Sequence, residues 1–342
     1  MEKPTIFYFV HAHGNGHRAI FNLLYPELSE FFNVIAVTTN EEVTEYLQWN
    51  HRVEILQLPP KYPPNYEIPE HTFSKAFEMT PYEIEPAFRA KSFAEAIIKY
   101  QPKAFYCDGV PEIAIMSRSM GLPVVLVHLP GNIIQDPTQV FAHELADHIV
   151  AHFPASLEQE NYRFATKTFY SGYLSKYFQE NLIQNKSLNE NPVTIILGYD
   201  NYDESVLRNI TSDLNTKFTV IGNKRKYNLA ENCVQLGRVK NISDGISGKI
   251  VISAAGQNTV AEMFSLNKTL ILLPESRPYD EQKIHAEILA EEGIALLAKE
   301  NFTAQDWKNI LSEAKSFKPL NKNVVNPFAA KEIAQKMNNW YA

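Results

Sequence analysis

The chain has 342 residues, 45% of them hydrophobic and 21% charged, with a net charge of −7. That length suits two domains, the apolar content excludes a disordered chain, and the negative balance argues against nucleic acid as a partner. The two cysteines, Cys107 and Cys233, are too few for a disulfide framework and indicate a reducing compartment.

In chain order, the first half alternates short apolar runs with longer amphipathic stretches. Strands are predicted at 6–10, 34–37, 53–56, 104–106, 124–127 and 148–151, with helices at 18–31, 41–49, 86–100 and 112–120 between them. Several runs are continuously apolar rather than alternating, the mark of strands buried on both faces of a parallel sheet. The second half repeats the pattern, with strands at 193–197, 218–221, 233–236, 249–252, 269–273 and 294–297. Its helices are expected at 203–214, 259–266, 280–291 and 303–314. The reading is an α/β chain of two Rossmann-like, doubly wound domains facing across a cleft. The join is expected in the polar stretch 179–192, which places the domains at 1–180 and 181–326. A last helix, within 327–342, follows the second sheet and is expected to pack back on the first domain. No apolar run approaches the roughly 20 residues of a spanning helix, and no leader precedes the first strand. The expected location is cytoplasmic, and the composition leaves room for peripheral contact with the inner face of a membrane.

The first strand runs into "VHAHGNGHR", where His11, His13 and His17 surround Gly14 and Gly16. A glycine turn before a helix lets backbone N–H groups approach an anionic ligand, and a histidine there takes up a proton near neutral pH. His17, on the first helical turn, is the candidate general base, since the helix dipole opposes its imidazolium form. Asp108, at the end of the 104–107 strand, is the candidate to orient it, though an Asp-Gly pair also suits a plain turn. No carboxylate or cysteine follows the histidines at ligand spacing, so no metal site is expected.

The second informative stretch is "VISAAGQNTVAEMFSLNKTLILLPESRPYDEQKIHAEIL" at 251–289. Two strand ends each feed a helix N-terminus, an arrangement suited to a pyrophosphate. Glu262, one turn into the first of these helices, suits a pair of ribose hydroxyls better than a phosphate. Glu281 and Gln282 offer a second polar pair for sugar hydroxyls. The proline-rich loop 58–71, with Tyr62 and Tyr66, is an extended surface loop or the border of an acceptor site.

Together these stretches resemble the GT-B glycosyltransferases, nearest the peptidoglycan N-acetylglucosaminyltransferase group, glycosyltransferase family 28. "GNGH" is similar to that group's first glycine loop, and "SAAGQNTVAEMFSLNKTLILLPES" followed by "DEQKIHAEIL" to its donor signature. "YCDGVPEIAIMSRSMGLPVV" and "ADHIVAHFPAS" resemble the later part of its first domain. The resemblance implies that Glu262 holds the donor ribose and that Glu281 and Gln282 hold the donor sugar. Gly256, Gln257, Asn258 and Thr259 would face the pyrophosphate and nucleoside, with Arg238 and Val239 beside the base. His11, His13, Gly14, Asn15, Gly16 and His128 would border the acceptor. Three departures stand out, the first being that the acceptor loop "HLPGNIIQDPT" does not match the lipid-acceptor consensus, so the acceptor is not inherited from the resemblance. The second-domain glycine loop reads "LGYDNYDES", with Gly198 as its one glycine, and Lys176 stands where an arginine is expected.

The implied activity is inverting, metal-independent transfer from a nucleotide sugar, a UDP-sugar by resemblance, to a lipid-linked or small-molecule glycan acceptor. The nucleotide sugar is then a substrate, and no cofactor is expected. Two alternatives share the fold: a nucleotide-sugar hydrolase in which His17 activates water, and a non-catalytic nucleotide-sugar binding protein. Hydrolases of the pseudaminic acid pathway resemble this chain in their Gly-x-Gly-His turn, but carry an arginine where this chain has Ile20.

Overall fold

The structure is a computed structural model that describes residues 2–12, 15–66, 81, 83–178, 192–198, 203–320 and 324–342. These divide into two compact units, 1–174 with 326–342, and 175–325. Residue 180, where the sequence reading ends the first domain, lies outside the described residues. The change of unit falls earlier, after Leu174, so Lys176 belongs to the second unit.

The first unit runs β1 (Thr5–Phe9), α1 (Gly16–Phe31), β2 (Asn33–Thr38), α2 (Glu41–Asn50), β3 (Glu54–Gln57) and α3 (Glu85–Tyr100). It continues with β4 (Ala104–Cys107), α4 (Pro111–Ser119), β5 (Val124–His128), α5 (Pro137–Leu145), β6 (His148–Ala151) and β7 (Thr168–Tyr170). All seven strands are parallel, in the order β3-β2-β1-β4-β5-β6-β7. Strand period 2 sends successive side chains of β1 to opposite faces. Ile6 and Tyr8 join Phe21, Leu24 and Leu28 of α1 on one face, while Phe7 and Phe9 join Phe93, Phe105 and Ile113 on the other. Burial on both faces explains why these strands read as continuous apolar runs.

Within this unit the final helix, α11 (Ala329–Tyr341), buries Ile333, Ala334 and Met337 in the cluster that holds α1 against the sheet. Asn326, just before it, donates its side-chain N–H to the Ser171 carbonyl at 2.9 Å and fixes where the chain rejoins this unit.

The second unit comprises β8 (Val193–Ile196), α6 (Glu204–Ile210), β9 (Phe218–Ile221), β10 (Cys233–Gly237), α7 (Ile242–Gly245) and β11 (Ile250–Ser253). It ends with α8 (Gln257–Ser265), β12 (Thr269–Leu272), α9 (Glu281–Glu291), β13 (Leu296–Leu297) and α10 (Ala304–Ser316). Its sheet is also all parallel, in the order β10-β9-β8-β11-β12-β13. The edge strand β10 leaves Val234 57% and Leu236 49% exposed, whereas every residue of the inner strands β8, β11 and β12 is buried.

Both sheets reverse their winding direction once, between β1 and β4 in the first and between β8 and β11 in the second. In open parallel sheets, ligands bind outside the carboxyl ends of the strands at such a reversal. Each unit therefore defines its own place to look.

Candidate functional site

In the first unit, the residues after β1 and β4 meet at the reversal. His13 and Gly14 lie outside the described residues. Asn15 precedes α1 without capping it and instead accepts from Arg18 Nη2 through Oδ1 at 2.7 Å. α1 has no acidic residue in its first turn; the nearby anion comes from β4. His17 Nδ1 lies 2.8 Å from Asp108 Oδ2, with the carboxylate buried and the imidazole 20% exposed. Gly109 follows with a φ of +76°, a left-handed turn that suits glycine, and a Cβ there would stand in ordinary contact with His17 Cε1 at 3.6 Å.

Burial is the largest influence on Asp108 and raises its pKa. The charge and hydrogen bond of His17, then the charges of His152 and His11, outweigh it and leave Asp108 below its ordinary value. An ionised carboxylate only accepts hydrogen bonds, so His17 Nδ1–H donates to it and the imidazole lone pair stands on Nε2. The same carboxylate stabilises the imidazolium formed once Nε2 takes a proton. It thereby offsets the helix dipole, the influence that the sequence alone brings forward.

His11 stands beside this pair, its ring 5.1 Å from that of His17. Beneath it, the Tyr106 hydroxyl and His152 Nε2 are hydrogen-bonded at 2.8 Å, and Tyr8 stacks on Tyr106 at 4.8 Å. Burial lowers the His152 pKa to about 4, so it is neutral. Sequence reasoning missed His152, which falls in the "ADHIVAHFPAS" stretch and directly follows β6 as a polar residue after an apolar run.

His128 requires a correction. Rather than bordering an acceptor, it is completely buried, with Nε2 3.1 Å from Glu158 Oε2 and its ring stacked 4.0 Å from Tyr162. The segment after β6 covers the end of β5, where an acceptor contact was expected. Tyr62 and Tyr66 stack on each other at 5.2 Å. Arg89 holds their loop by donating to the Pro59 carbonyl at 2.9 Å while pairing with the buried Glu112. The loop beyond Tyr66, up to residue 80, lies outside the described residues.

In the second unit, α8 opens after Gly256 and α9 after Asp280, and neither has a side-chain cap. Both helix N-termini carry the positive end of a helix dipole. Gln257, Asn258 and Thr259, all half-buried, form the first turn of α8. Tyr279 and Asp280 both take left-handed backbone angles, φ 61° and 53°. For residues other than glycine this conformation is costly and persists where the surroundings enforce it.

Glu262 lies on α8, and burial raises its pKa while Lys176 lowers it in part. Lys176 Nζ is 3.7 Å from Glu262 Oε1 and 4.9 Å from the Tyr177 ring centre. Lys176, the sequence's candidate for a leaving pyrophosphate, is thus placed beside the carboxylate assigned to the ribose. Gln282 is largely buried, and its Oε1 accepts from the Glu275 N–H at 3.0 Å, so this side chain fastens the loop after β12. Glu281, beside it, is half-buried at the start of α9. His285, one turn further along α9, donates from Nδ1 to the Ala255 carbonyl at 2.7 Å and fixes α9 to the turn before α8. Burial lowers its pKa to about 4. Arg238, exposed, and Val239, half-buried, follow β10. Gly198 ends β8, and the residues after it, 199–202, lie outside the described residues.

Residues 239–337 match the glycosyltransferase family 28 C-terminal domain, a stretch that contains Gly256 to Glu262, Glu281 and Gln282. No curated protein matches the chain by sequence. Among solved structures, the chain is similar to MurG of Acinetobacter baumannii, at 13% identity and a TM-score of 0.66, covering 98% of this chain and 100% of that one. It is similar to UGT2 of Phytolacca americana, complexed with UDP-2-fluoro-glucose and pterostilbene, at 15% identity and a TM-score of 0.67. That match covers 98% of this chain and 94% of the other. The spinosyn rhamnosyltransferase SpnG, complexed with thymidine diphosphate, matches at 12% identity and a TM-score of 0.66, covering 99% of this chain and 95% of that one. The domain match and the two parallel-sheet units define the class: a glycosyltransferase of GT-B fold. The likeness to family 28 rests on residues 239–337, less than a third of the chain.

Proposed function

We propose that the protein moves a sugar from a nucleotide sugar, a UDP-sugar, to an acceptor hydroxyl, with inversion, without an obligatory metal, and with His17 as general base. The observation that carries this reading is the 2.8 Å contact between His17 Nδ1 and Asp108 at the first sheet's reversal. His17 Nε2 takes the acceptor hydroxyl's proton as its oxygen bonds to the anomeric carbon, and the bond from that carbon to the diphosphate oxygen breaks. Attack opposite the leaving group inverts the anomeric centre. Charge on the leaving diphosphate is met by the first turns of α8 and α9 and by cationic side chains of the second unit. Glu262 accepts from the ribose hydroxyls, Glu281 serves the sugar, and Gln282 holds the loop. The acceptor, a lipid-linked or small-molecule glycan, would meet His11, His13, Gly14, Asn15 and Gly16.

A structural relative with UDP-2-fluoro-glucose and one with thymidine diphosphate support a nucleotide-diphosphate sugar as donor. UDP is preferred on the family 28 resemblance. The reaction is assigned to the cytoplasm, at the inner membrane face when the acceptor is lipid-linked. Among the described residues no helix is long and apolar enough to cross a membrane. The hydrolase alternative loses support from Ile20, which sits on α1 and is buried in the core instead of presenting a polar group.

A thermal-shift screen of nucleotide sugars tests the donor, because bound ligand raises apparent stability by mass action. UDP-sugars are expected to stabilise the wild type. Glu262→Ala is expected to weaken UDP binding by about 1.5 to 3 kcal/mol, the range for hydrogen bonds to a charged group. A 2′,3′-dideoxy analogue of UDP should bind wild type and variant alike; unchanged UDP affinity in the variant removes Glu262 from the site. Treatment with EDTA is expected to leave most of the activity, since protein N–H groups and cations are assigned to the diphosphate. Complete loss that added cations restore would show an obligatory metal.

A further inference from the structure

Glu275 lies just beyond β12 in the second unit, and its backbone is held by Gln282. Its carboxylate reaches past the end of β11 to the end of β8. A Cβ on Gly198 would lie 3.3 Å from Glu275 Oε1 and 3.7 Å from Oε2. The glycine at 198 lets the carboxylate lie against the backbone, which explains why this position is small even in a loop poor in glycine. The other face of the carboxylate is taken by Arg277, whose Nη2 donates to Oε2 at 2.9 Å. Both side chains are partly buried, at 18% and 19% exposure. Tyr279 and Asp280, the left-handed pair, separate Arg277 from the first turn of α9.

An anion is thus bound by a guanidinium at the reversal of the second sheet, beside a glycine, in the loop leading into an uncapped helix. These are the elements that bind a diphosphate, except that the anion belongs to the protein. We infer that Glu275 is a built-in substitute for the donor's diphosphate: when the nucleotide sugar binds, Arg277 exchanges the Glu275 carboxylate for phosphate oxygens. Arg277, which the sequence reading did not single out, then supplies the fork that Lys176 lacks. Pairing Arg277 with Glu275 beforehand keeps the guanidinium ordered, so less freedom is lost on binding. The carboxylate must yield for each donor, which favours a ligand with two negative groups over a neutral nucleoside. No covalent step is involved. The inference rests on the donor reading of this unit.

Calorimetric titration of UDP, uridine and inorganic pyrophosphate into wild type and variants tests it. Arg277→Gln is expected to weaken UDP and pyrophosphate about tenfold or more, with uridine unchanged. Arg277→Lys, which keeps the charge and loses the fork, should give a smaller loss. Glu275→Gln, which keeps the shape and removes the competing charge, is expected to tighten UDP and pyrophosphate about threefold to fivefold, again with uridine unchanged. Weaker UDP binding in Glu275→Gln would make Glu275 a brace for Arg277 and overturn the exchange. Equal losses for uridine and UDP would overturn it too, because the effect would then lie in the fold and not in the phosphates. If the wild type binds UDP and neither variant changes that, the inference fails while the donor reading stands. If the wild type binds no nucleotide, the donor reading fails and this inference with it.

Discussion

His17→Ala is expected to lower kcat by about 10² to 10⁴ while leaving nucleotide-sugar binding within a few fold, since a general base contributes about that factor. The argument rests on the hydrogen bond from Nδ1 to Asp108, which directs the lone pair of Nε2 outward for proton transfer. Asp108→Asn keeps the shape and removes the charge that fixes the tautomer and stabilises the imidazolium, so a loss of the same order is expected. Because both residues act on one proton, the double variant should be little worse than either single one. His11→Ala, in contrast, should mainly raise KM for the acceptor. Steady-state rates over a range of acceptor and donor concentrations separate these effects. Full kcat in His17→Ala would remove the base from this histidine.

The second large effect is acid lability. Burial holds His143 at a pKa of about 3, and His152 and His285 at about 4. In the unfolded chain each would titrate near 6.5, so between about pH 6.5 and 4 the unfolded state binds protons that the folded state does not. Stability then rises with pH in this window, and on acidification each histidine withdraws about 1.4 kcal/mol per pH unit below its unfolded pKa. Glu112 and Glu262 act in the opposite direction, because burial raises their pKa and the fold holds protons that the unfolded carboxyls release. Three buried imidazoles against two such carboxyls predict net proton uptake on unfolding near pH 5.5 and a falling Tm below pH 6.5. Scanning calorimetry at several pH values, in buffers of different ionisation enthalpy, measures both. A flat Tm from pH 7 to 5 would show that these histidines are protonated within the fold.

The strands were legible because burial on both faces leaves continuous apolar runs, as in Ile250–Ser253 and Thr269–Leu272. β7 was not, because Thr168–Tyr170 is only half-buried, short and without such a run. α5 escapes the sequence reading although Asp136 caps it by accepting from the Thr138 N–H and Pro137 opens it, because its buried positions are Thr138, Ala142 and His143 and not a stripe of large apolar residues. The histidine turn and the donor stretch were visible as local motifs. Asp108 was legible only as a candidate, since an Asp-Gly pair at a strand end also suits a plain turn. His17 and Asp108 are 91 positions apart, and they meet only because β4 pairs with β1. The position of His128 at a strand end looked equivalent, but the chain from His152 to Phe164 folds over it, which no local pattern reveals. Lys176 and Glu262, like Gly198 and Glu275, are far apart in the chain and are brought together only by the tertiary fold.

The most direct test of the whole account is product analysis by NMR after incubation with an α-linked UDP-sugar, with and without a panel of glycan and lipid-linked acceptors. The account predicts UDP release that requires an acceptor, a product with the anomeric centre inverted to β, and loss of both in His17→Ala. Free sugar released at full turnover without acceptor would identify a hydrolase. Donor binding without any turnover, and indifferent to His17→Ala, would identify a binding protein, and either result would contradict transfer by this site.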